Sequence, residues 1–316
     1  MNKIDLYIDK INLHRKNTKY LYKLSKEILL QTGGFLKEII NRNAVEHNFD
    51  ELMGYIKTKI VKHNISRNKY LVILMGPPGS GKSRARDVVC KFIEQKIESL
   101  GNLRQPIQDF KKSFIDIEVD DVVYNVNLEK RNTIEPSGIE KFNQLKTKIN
   151  MNIPLYYTES NNLYFGLRKH IESVPEIMLY IAAYLGTNIF FETVGDKTNY
   201  IEYLINTFCV YYGYIPIIIY THIKNIEEHK RRLIIRTMRE GRAIEPNFLE
   251  QTRNNCNASF STLMNKFQNK NFNNNIIYLI NFENSQIITP SIPNTNITYS
   301  IFHKNKTNEL NSKLNL

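Results

Sequence analysis

The sequence predicts an α/β protein in which a parallel sheet is covered by helices on both faces and preceded by an N-terminal helical segment. Five short, mostly apolar runs, the first of them continuous, are typical of strands in a buried parallel sheet. These predicted strands occupy residues 70–75, 114–119, 188–192, 215–220 and 276–280. Segments with helical periodicity separate most of them. This alternation indicates a parallel sheet.

Helical periodicity before the first strand predicts that residues 1–66 form the N-terminal helical segment. Apolar residues share one helical face over 21–28. A second helix is predicted over 51–62, with Asp50 as its N-cap. This segment lies outside the alternating pattern, so we expect it to be a separate part of the chain.

A glycine-rich loop follows the first predicted strand. Residues 76–83 read Gly-Pro-Pro-Gly-Ser-Gly-Lys-Ser and match the pattern G-x-x-x-x-G-K-[ST] in full. Apolar residues at helical spacing over 85–100 predict a helix directly after the loop. Strand, glycine-rich turn and helix in this order are the context of a phosphate-binding loop. The sequence therefore predicts that the chain binds a nucleoside triphosphate.

The chemistry of such a loop assigns roles to its residues. Backbone N–H groups at a helix N-terminus wrap the phosphates, and glycines let the backbone come close. Lys82 would bridge the β- and γ-phosphates, and the hydroxyl of Ser83 would hold Mg²⁺, the only metal we infer. The residues expected to contact the nucleotide are Gly76, Pro77, Pro78, Gly79, Ser80, Gly81, Lys82, Ser83 and Arg84.

Acidic residues end two of the predicted strands. Asp120 and Asp121 follow the second strand, and Glu192 and Thr193 end the third. Ligand crevices in open α/β sheets lie beyond the carboxyl ends of the strands. A carboxylate there can accept a proton from a substrate hydroxyl or hold Mg²⁺ through water. The alternative is an ordinary strand-end turn, where aspartate is common.

The segment 122–172 between these two strands shows less regular patterning, with prolines and glycine as breakers. Its aromatic stretch over 152–168 could line a substrate pocket or belong to the core, and the sequence leaves both interpretations open. Further helices are predicted over 173–186 and 198–212, and another begins at Pro246.

An arginine cluster follows the fourth predicted strand. Arg232, Arg236 and Arg239 recur at helical spacing, and Arg242 follows shortly after them. Phosphoryl transfer spreads negative charge over three oxygens, and arginine forks stabilise that charge. The alternative is a solvated helix whose arginines pair with neighbouring glutamates.

Composition agrees with a soluble, cytoplasmic enzyme. Among the 316 residues, Lys+Arg 43 exceed Asp+Glu 31, and the net charge of +12 favours anionic partners such as nucleotides, sugar nucleotides or nucleic acid. The N-terminus lacks the apolar stretch of a signal peptide, and no apolar run approaches the length of a membrane span. The three cysteines show no metal-ligand spacing. Residues 67–285 are expected to form the catalytic domain, and residues 286–316 a loosely ordered, Asn-rich tail.

The ordered set of motifs resembles the zeta toxin kinases, most closely the zeta-like proteins of large DNA viruses. The resemblance spans residues 69–282. It is carried by the loop at 76–83, Val119-Asp-Asp-Val122, Phe191-Glu-Thr-Val-Gly195, Gly213-Tyr214 and Arg236-x-x-Arg239-Glu-Gly-Arg242. It implies a phosphate-loop kinase fold that uses ATP and Mg²⁺ to phosphorylate a hydroxyl of a nucleotide sugar, UDP-N-acetylglucosamine. A neutralising protein partner is natural for such a toxin-like kinase.

The resemblance also implies roles for individual residues. Asp120 would be the general base, and substrate would be contacted by Asp121, Glu192 and Thr193. The arginines would form a lid over the γ-phosphate, with Arg236 on the nucleotide and Arg239 and Arg242 taking part in catalysis with Lys82.

Two departures from the family pattern leave the acceptor substrate open. The usual arginine shortly after the aspartate is replaced by Val122-Val123-Tyr124, and the segment 122–172 is longer than in a minimal zeta domain. A polynucleotide or nucleoside kinase would suit the basic surface, although no stacking motif favours nucleic acid. A third hypothesis is a nucleotide-binding structural or regulatory protein with decayed catalysis and residues 1–66 as a partner-binding arm. The complete set of acidic residues and arginines favours an enzyme.

Overall fold

The described part of the chain covers the predicted sheet and most of its helices. The computed structural model describes residues 59, 69–87, 90–91, 114–125, 129–130, 133–134, 137–147, 153–171, 174–210, 212–268, 277–284, 295–303 and 306–315. The helices predicted over 21–28 and 51–62, apart from Lys59, and the end of the helix after the phosphate loop lie outside these residues.

Nine strands are present in the described residues, seven of them in one sheet. The seven are β1 (Tyr70–Met75), β2 (Phe114–Glu118), β5 (Asn188–Thr193), β6 (Ile215–His222), β7 (Ile277–Asn284), β8 (Thr295–His303) and β9 (Lys306–Asn315). A separate antiparallel pair consists of β3 (Glu129–Lys130) and β4 (Thr133–Ile134).

The main sheet has the order β2-β5-β1-β6-β7-β8-β9. Its first five strands are parallel, and β8 and β9 continue it in antiparallel fashion. After β1 the chain builds β2 and β5 on one side, then crosses β1 to build β6 and β7 on the other. Ligands bind at such a reversal, beyond the carboxyl ends of the strands. The predicted α/β class with a parallel sheet is confirmed.

Helices connect the parallel strands. They are α1 (residues 82–87), α2 (Val119–Asn125), α3 (Gly138–Lys146), α4 (Ile153–Ile171), α5 (Val174–Leu185), α6 (Thr198–Val210), α7 (Ile226–Glu240) and α8 (Pro246–Gln268). Two of them have clear end signals. Ser137 and Glu140 form a capping box at the start of α3, and Gly241 ends α7 in the left-handed conformation.

The central strand β1 is buried on both faces, because its alternating side chains enter two different cores. Leu71 and Ile73 pack in the larger core with side chains of α5, α6 and α8. Val72 and Leu74 pack in the second core with Ala85 of α1. All four strand side chains are at most 1% exposed. Helices therefore cover both faces of the sheet, and the sheet fixes the place of every residue at its carboxyl edge.

Two expectations were wrong in their local structure. The segment 122–172 is more regular than predicted, since it contains most of α2 together with α3 and α4. In the tail, β8 and β9 pair along the edge of β7 instead of being loosely ordered. The helices of 122–172 were not predicted because helical periodicity extends over only short ranges there. The strands β8 and β9 were not predicted because the tail is polar in composition. The domain boundaries at 67 and 285 remain predictions.

No helix within the described ranges is both long and apolar enough to cross a membrane.

Candidate active site

The phosphate loop joins β1 to α1 and depends on glycine at positions that sit against other strands. Gly81 has φ 87°, and a Cβ there would lie 1.9 Å from Nδ2 of Asn284. A Cβ on Gly76 would lie 2.4 Å from the backbone oxygen of Thr221. Both distances are far below van der Waals contact, so the loop can take this path only with glycine. The sequence motif therefore has the strand–loop–helix context that phosphate binding requires.

Lys82 lies at the mouth of the loop with its ammonium turned toward oxygen atoms. Its Nζ donates to the carbonyl oxygens of Gly76 (2.9 Å) and Pro77 (3.3 Å), and it lies 3.5 Å from Oε1 of Glu192. The side chain is 9% exposed. An ammonium that is largely buried among acceptors can turn to a phosphate without first leaving bulk water.

A cleft of about 900 Å³ opens in front of the loop. It brings together predicted residues from the loop, two strand ends and α7: Gly79, Gly81, Lys82, Ser83, Arg84, Asp120, Asp121, Glu192, Arg232, Arg236 and Arg239. The remaining predicted site residues do not line the cleft. Four of them are buried loop residues, Gly76, Pro77, Pro78 and Ser80, and the other two are Thr193 and Arg242. Instead, the Thr193 hydroxyl accepts a hydrogen bond from the N–H of Gly195.

Asp120 is a cleft carboxylate that contacts three other side chains. One oxygen lies 2.9 Å from Arg236 Nη2 and 2.5 Å from Arg242 Nη1, and the other accepts a hydrogen bond of 2.8 Å from the Tyr164 hydroxyl. Burial alone would raise the pKa of Asp120, but the two guanidinium groups and the hydroxyl hold it well below its usual range. In this state Asp120 is a firmly ionised, weakly basic group.

Helix α4 places Arg242 beside Asp120. The Arg242 guanidinium lies 3.5 Å from the ring centroid of Tyr164. The turn that carries Arg242 is also tied to α4, because the Tyr156 hydroxyl donates to the Gly241 carbonyl and the Ala243 N–H donates to the Ser160 hydroxyl. In the aromatic stretch over 152–168, Tyr156 and Tyr164 are both buried, which agrees with the core alternative. Tyr164 also donates to Asp120, but it does not line the cleft.

Some arginines of α7 pair with glutamates of the same helix, and one also pairs with an aspartate of another element. Arg232 lies 2.8 Å from Glu228, and Arg239, which is 75% exposed, lies 2.5 Å from Glu240. These are the helix-surface pairs that the alternative interpretation predicted. Arg236 pairs with Glu240 of the helix and also reaches Asp120. The cluster is thus both a paired helix surface and one wall of the cleft.

Glu118 is a cleft residue that sequence reasoning missed. It ends β2 in direct register with Glu192 of β5, and Arg86 Nη1 lies 3.2 Å from it. Burial raises its pKa to about 7, with the neighbouring charge of Glu192 adding to the rise and Arg86 opposing it. The available signal was a second acidic residue, Asp116, two positions earlier in an apolar strand.

Asp121 has a partner from the N-terminal part of the chain. The Lys59 ammonium lies 2.6 Å from the Asp121 carboxylate, and both side chains are about one-third exposed, at 34% and 28%. The predicted substrate-contacting aspartate is therefore already neutralised in this structure.

The described residues contain no cluster of three or more His, Cys, Asp or Glu side chains that could hold a metal ion. The exposed Ser83 hydroxyl does line the cleft together with Glu118 and Glu192. Oxygen ligands of this kind suit Mg²⁺, which usually keeps several waters and binds through one or two protein groups plus phosphates. The donor set fits Mg²⁺ delivered with a nucleotide.

Comparison with known proteins identifies a viral relative of this chain at the sequence level. No family model matches the chain. An uncharacterized protein of Acanthamoeba polyphaga mimivirus, L872, is 32% identical over 321 residues, covering 94% of this chain and 86% of the mimivirus protein. A chain in a structure of the PezAT chromosomal toxin-antitoxin system of Streptococcus pneumoniae is 12% identical, with a TM-score of 0.47, covering 75% of this chain and 78% of that one. This structural likeness is too distant to carry an argument about function.

Proposed function

This chain belongs to the family of the uncharacterized mimivirus protein L872, and we propose that it is a kinase that transfers the γ-phosphate of ATP to a hydroxyl of a small substrate. The observation that carries the proposal is the composition of a single cleft. Lys82 at the phosphate loop, the carboxylates Asp120 and Glu192, and the arginine helix α7 all line it. Phosphoryl transfer needs this combination of a phosphate cradle, cations for the developing charge and a proton acceptor.

In this proposal, nucleotide binding prepares Asp120 for its role as general base. Without nucleotide, Arg236 and Arg242 neutralise Asp120 and keep its pKa low. A triphosphate carries more negative charge than one carboxylate and would compete for the guanidinium group of Arg236, which lines the cleft. Any weakening of those ion pairs raises the pKa of Asp120 and makes it a better proton acceptor. Asp120 would then take the proton of the substrate hydroxyl as the phosphoryl group is transferred.

The cofactor pair in this proposal is ATP with Mg²⁺. Ser83 would hold the ion together with the nucleotide phosphates. Bound Mg²⁺ neutralises charge that develops on the phosphate oxygens. The chain's own contribution is to orient the triphosphate through the loop and Lys82 and to place arginine forks beside it.

The acceptor would lie on the acidic side of the cleft, where the first turn of α2 carries Asp121 and the end of β5 carries Glu192. Carboxylates recognise hydroxyl groups by accepting hydrogen bonds from them. Sugar hydroxyls fit this requirement. The resemblance to zeta toxin kinases favours a nucleotide sugar such as UDP-N-acetylglucosamine.

A transfer screen tests the proposed function. Purified protein is incubated with Mg²⁺ and γ-labelled ATP in the presence of sugar nucleotides, nucleosides or 5′-hydroxyl oligonucleotides, and label transfer is measured for each class. We expect transfer to one sugar-nucleotide acceptor. Transfer only to oligonucleotides or nucleosides would assign the alternative acceptor class.

A second candidate function is nucleotide binding without transfer. The low basicity of Asp120 in this structure favours it. ATP binding in calorimetry, with no label transfer to any acceptor class, would establish this second function over the first.

A further inference from the structure

The phosphate loop must hold its N–H groups toward the cleft, and this geometry places demands on its carbonyl groups. In a trans peptide the C=O of one residue and the N–H of the next point in opposite directions. The described chain contains no cis peptide bond. Each N–H that faces a phosphate therefore has a carbonyl oxygen behind it, pointing away from the cleft. That oxygen is buried in the protein and needs a donor.

Gly79 and Gly81 are the N–H donors of the loop that precede α1. Pro77 and Pro78 have no N–H, the Gly76 N–H donates to the Val194 carbonyl at 3.0 Å, and the Ser80 N–H donates to the Pro77 carbonyl at 3.2 Å. Within the described ranges, the Gly79 and Gly81 N–H groups have no protein acceptor, and both residues line the cleft. Their N–H groups are therefore placed to bind an anion.

The carbonyls behind these two N–H groups belong to Pro78 and Ser80, and each meets a side chain from outside the motif. Nε2 of His229 on α7 lies 2.7 Å from the Pro78 oxygen. Nδ2 of Asn284 at the end of β7 donates to the Ser80 oxygen at 3.1 Å. His229 is 0% exposed and Asn284 is 1% exposed, so water cannot take over either bond.

The contacts also fix the state of both side chains. The Pro78 carbonyl can only accept, so His229 carries its proton on Nε2. Burial lowers the pKa of His229 to about 4, which keeps the ring neutral at neutral pH, and Arg253, Arg232 and Lys82 oppose its protonation further. The Ser80 carbonyl likewise fixes the orientation of the Asn284 amide, because the flipped amide would place two oxygens in contact.

We propose that His229 and Asn284 are positioning residues that hold the Gly79 and Gly81 N–H groups toward the bound phosphates. This inference rests on the proposed function, since it presumes that the loop binds a nucleotide. It adds that two residues outside the motif, 146 or more positions further along the chain, set the anion affinity of the loop. It also implies that α7 carries both a loop anchor, His229, and the arginines of the cleft.

The test compares variants that keep or lose the donor. His229→Gln retains an amide N–H near the position of Nε2, whereas His229→Met fills a similar volume without a donor. Calorimetry with sodium pyrophosphate and with ATP gives the dissociation constant of each variant, and thermal unfolding without ligand gives its stability. Thr187→Val is the matched control, because it removes a buried hydroxyl-to-carbonyl bond (Thr187 to Ala182, 3.1 Å) at the opposite end of β5.

We expect His229→Met to bind pyrophosphate and ATP about 5-fold more weakly, the usual scale for one lost hydrogen bond, and His229→Gln to bind like the unmodified chain. Both substitutions repack the same site. If the role of His229 is purely structural, the affinity of the two variants should correlate with their unfolding temperatures and not with the presence of an N–H donor. The Thr187→Val control should lose stability and keep its affinity.

Asn284→Leu provides an independent second variant, which decides the matter if His229→Met does not fold. It should weaken pyrophosphate binding by a similar factor. Equal affinity of the unmodified chain, His229→Met and Asn284→Leu would overturn the positioning role and leave the proposed kinase standing. Absence of pyrophosphate and ATP binding in the unmodified chain would overturn the proposed function and this inference with it.

Discussion

The Nζ atom of Lys82 lies 3.5 Å from Oε1 of Glu192. The two residues meet because β1 and β5 are adjacent parallel strands, with Met75 in register with Thr193. The phosphate loop starts where β1 ends, so its lysine turns back over the end of β5. In the proposed function, the terminal phosphate and the acceptor hydroxyl would meet between these two side chains.

Lys82→Ala should abolish phosphoryl transfer and leave the fold intact. In the proposed function the lysine neutralises phosphate charge, and among the described residues its ammonium contacts the carbonyls of Gly76 and Pro77 and the carboxylate of Glu192. We expect a loss of at least about 10²-fold in turnover, the usual scale for a preorganised electrostatic group. Turnover and thermal unfolding are measured on the same sample.

Lys91→Ala is the control for that substitution, since Lys91 is an exposed lysine of the helical stretch after the loop. It should keep normal turnover. Near-normal turnover in folded Lys82→Ala would contradict the kinase proposal.

Asp120→Asn should reduce the chemical step more than nucleotide affinity. The amide keeps the shape of the carboxylate but cannot take a proton from a hydroxyl. It also leaves Arg236 and Arg242 with a neutral partner, so the arginines become freer to pair with phosphate. Single-turnover rates and ATP dissociation constants separate the two effects.

Asp121→Asn is the matched comparison, because Asp121 is the adjacent cleft carboxylate and pairs with Lys59 instead of arginine. If Asp121→Asn abolishes transfer and Asp120→Asn does not, Asp121 is the base. If neither affects transfer, Glu192 becomes the next candidate.

The parallel sheet and most of the cleft were predictable because they depend on local patterns. A buried strand, a glycine-rich loop and strand-end acids all follow from short stretches of sequence, and the carboxyl ends of parallel strands must share one edge. Placement of Lys82, Asp120 and Glu192 in one cleft follows from these rules alone.

The residues that sequence reasoning missed act across long separations. Tyr164 reaches Asp120 from α4, and Asn284 reaches the loop because β7 extends four residues beyond its predicted end at 280. His229 is a lone histidine in a charged helix, and no local pattern distinguishes it from a surface residue. Only tertiary packing shows that it is buried against the loop.

The arginine helix should respond to nucleotide in its second half. His229 and Leu233 pack against the loop, so the start of α7 is anchored. Arg236 and Arg239 line the cleft and are expected to close over ATP as a lid that completes the charge clamp. Arg242, which the sequence also assigned to the lid, is held by Asp120 and Tyr164 and should stay in place. Amide hydrogen exchange, with and without a non-hydrolysable ATP analogue, should show added protection over residues 234–240 and little change over 226–233.

Arg239→Ala links this motion to activity. It removes an exposed arginine that pairs only with Glu240 among the described residues, so its stability should be unchanged. Transfer should fall by roughly 10²-fold if the guanidinium reaches the transferred phosphate. Equal protection with and without the ATP analogue, together with full activity of Arg239→Ala, would contradict the lid hypothesis and favour an ordinary solvated helix.

Glu118 should make the unliganded protein less stable as the pH rises toward neutral. Its folded pKa of about 7 lies above the ordinary value of 4.5, since burial and the nearby Glu192 disfavour its charge. The folded state therefore binds more protons than the unfolded state between these pH values, and stability is lost as the pH rises through that window. Glu118→Gln cannot ionise and should remove this loss. Near pH 4.5, the free energy of unfolding of Glu118→Gln should be equal to or lower than that of the unmodified chain. Between pH 4.5 and pH 7.5, the difference between the two proteins should shift in favour of Glu118→Gln.

Denaturant unfolding at a series of pH values between 4.5 and 7.5 measures the difference between the two proteins. Glu245→Gln serves as the control, because Glu245 is an exposed glutamate directly before α8 and has no ion pair among the described residues. Its difference from the unmodified chain should stay constant over the same range. A Glu118→Gln difference that is equally constant would mean that Glu118 ionises normally, through closer pairing with Arg86 than with Glu192. The Glu118 carboxylate, which lines the same cleft as Ser83, would then be charged at neutral pH before nucleotide is added, in the form that can hold Mg²⁺.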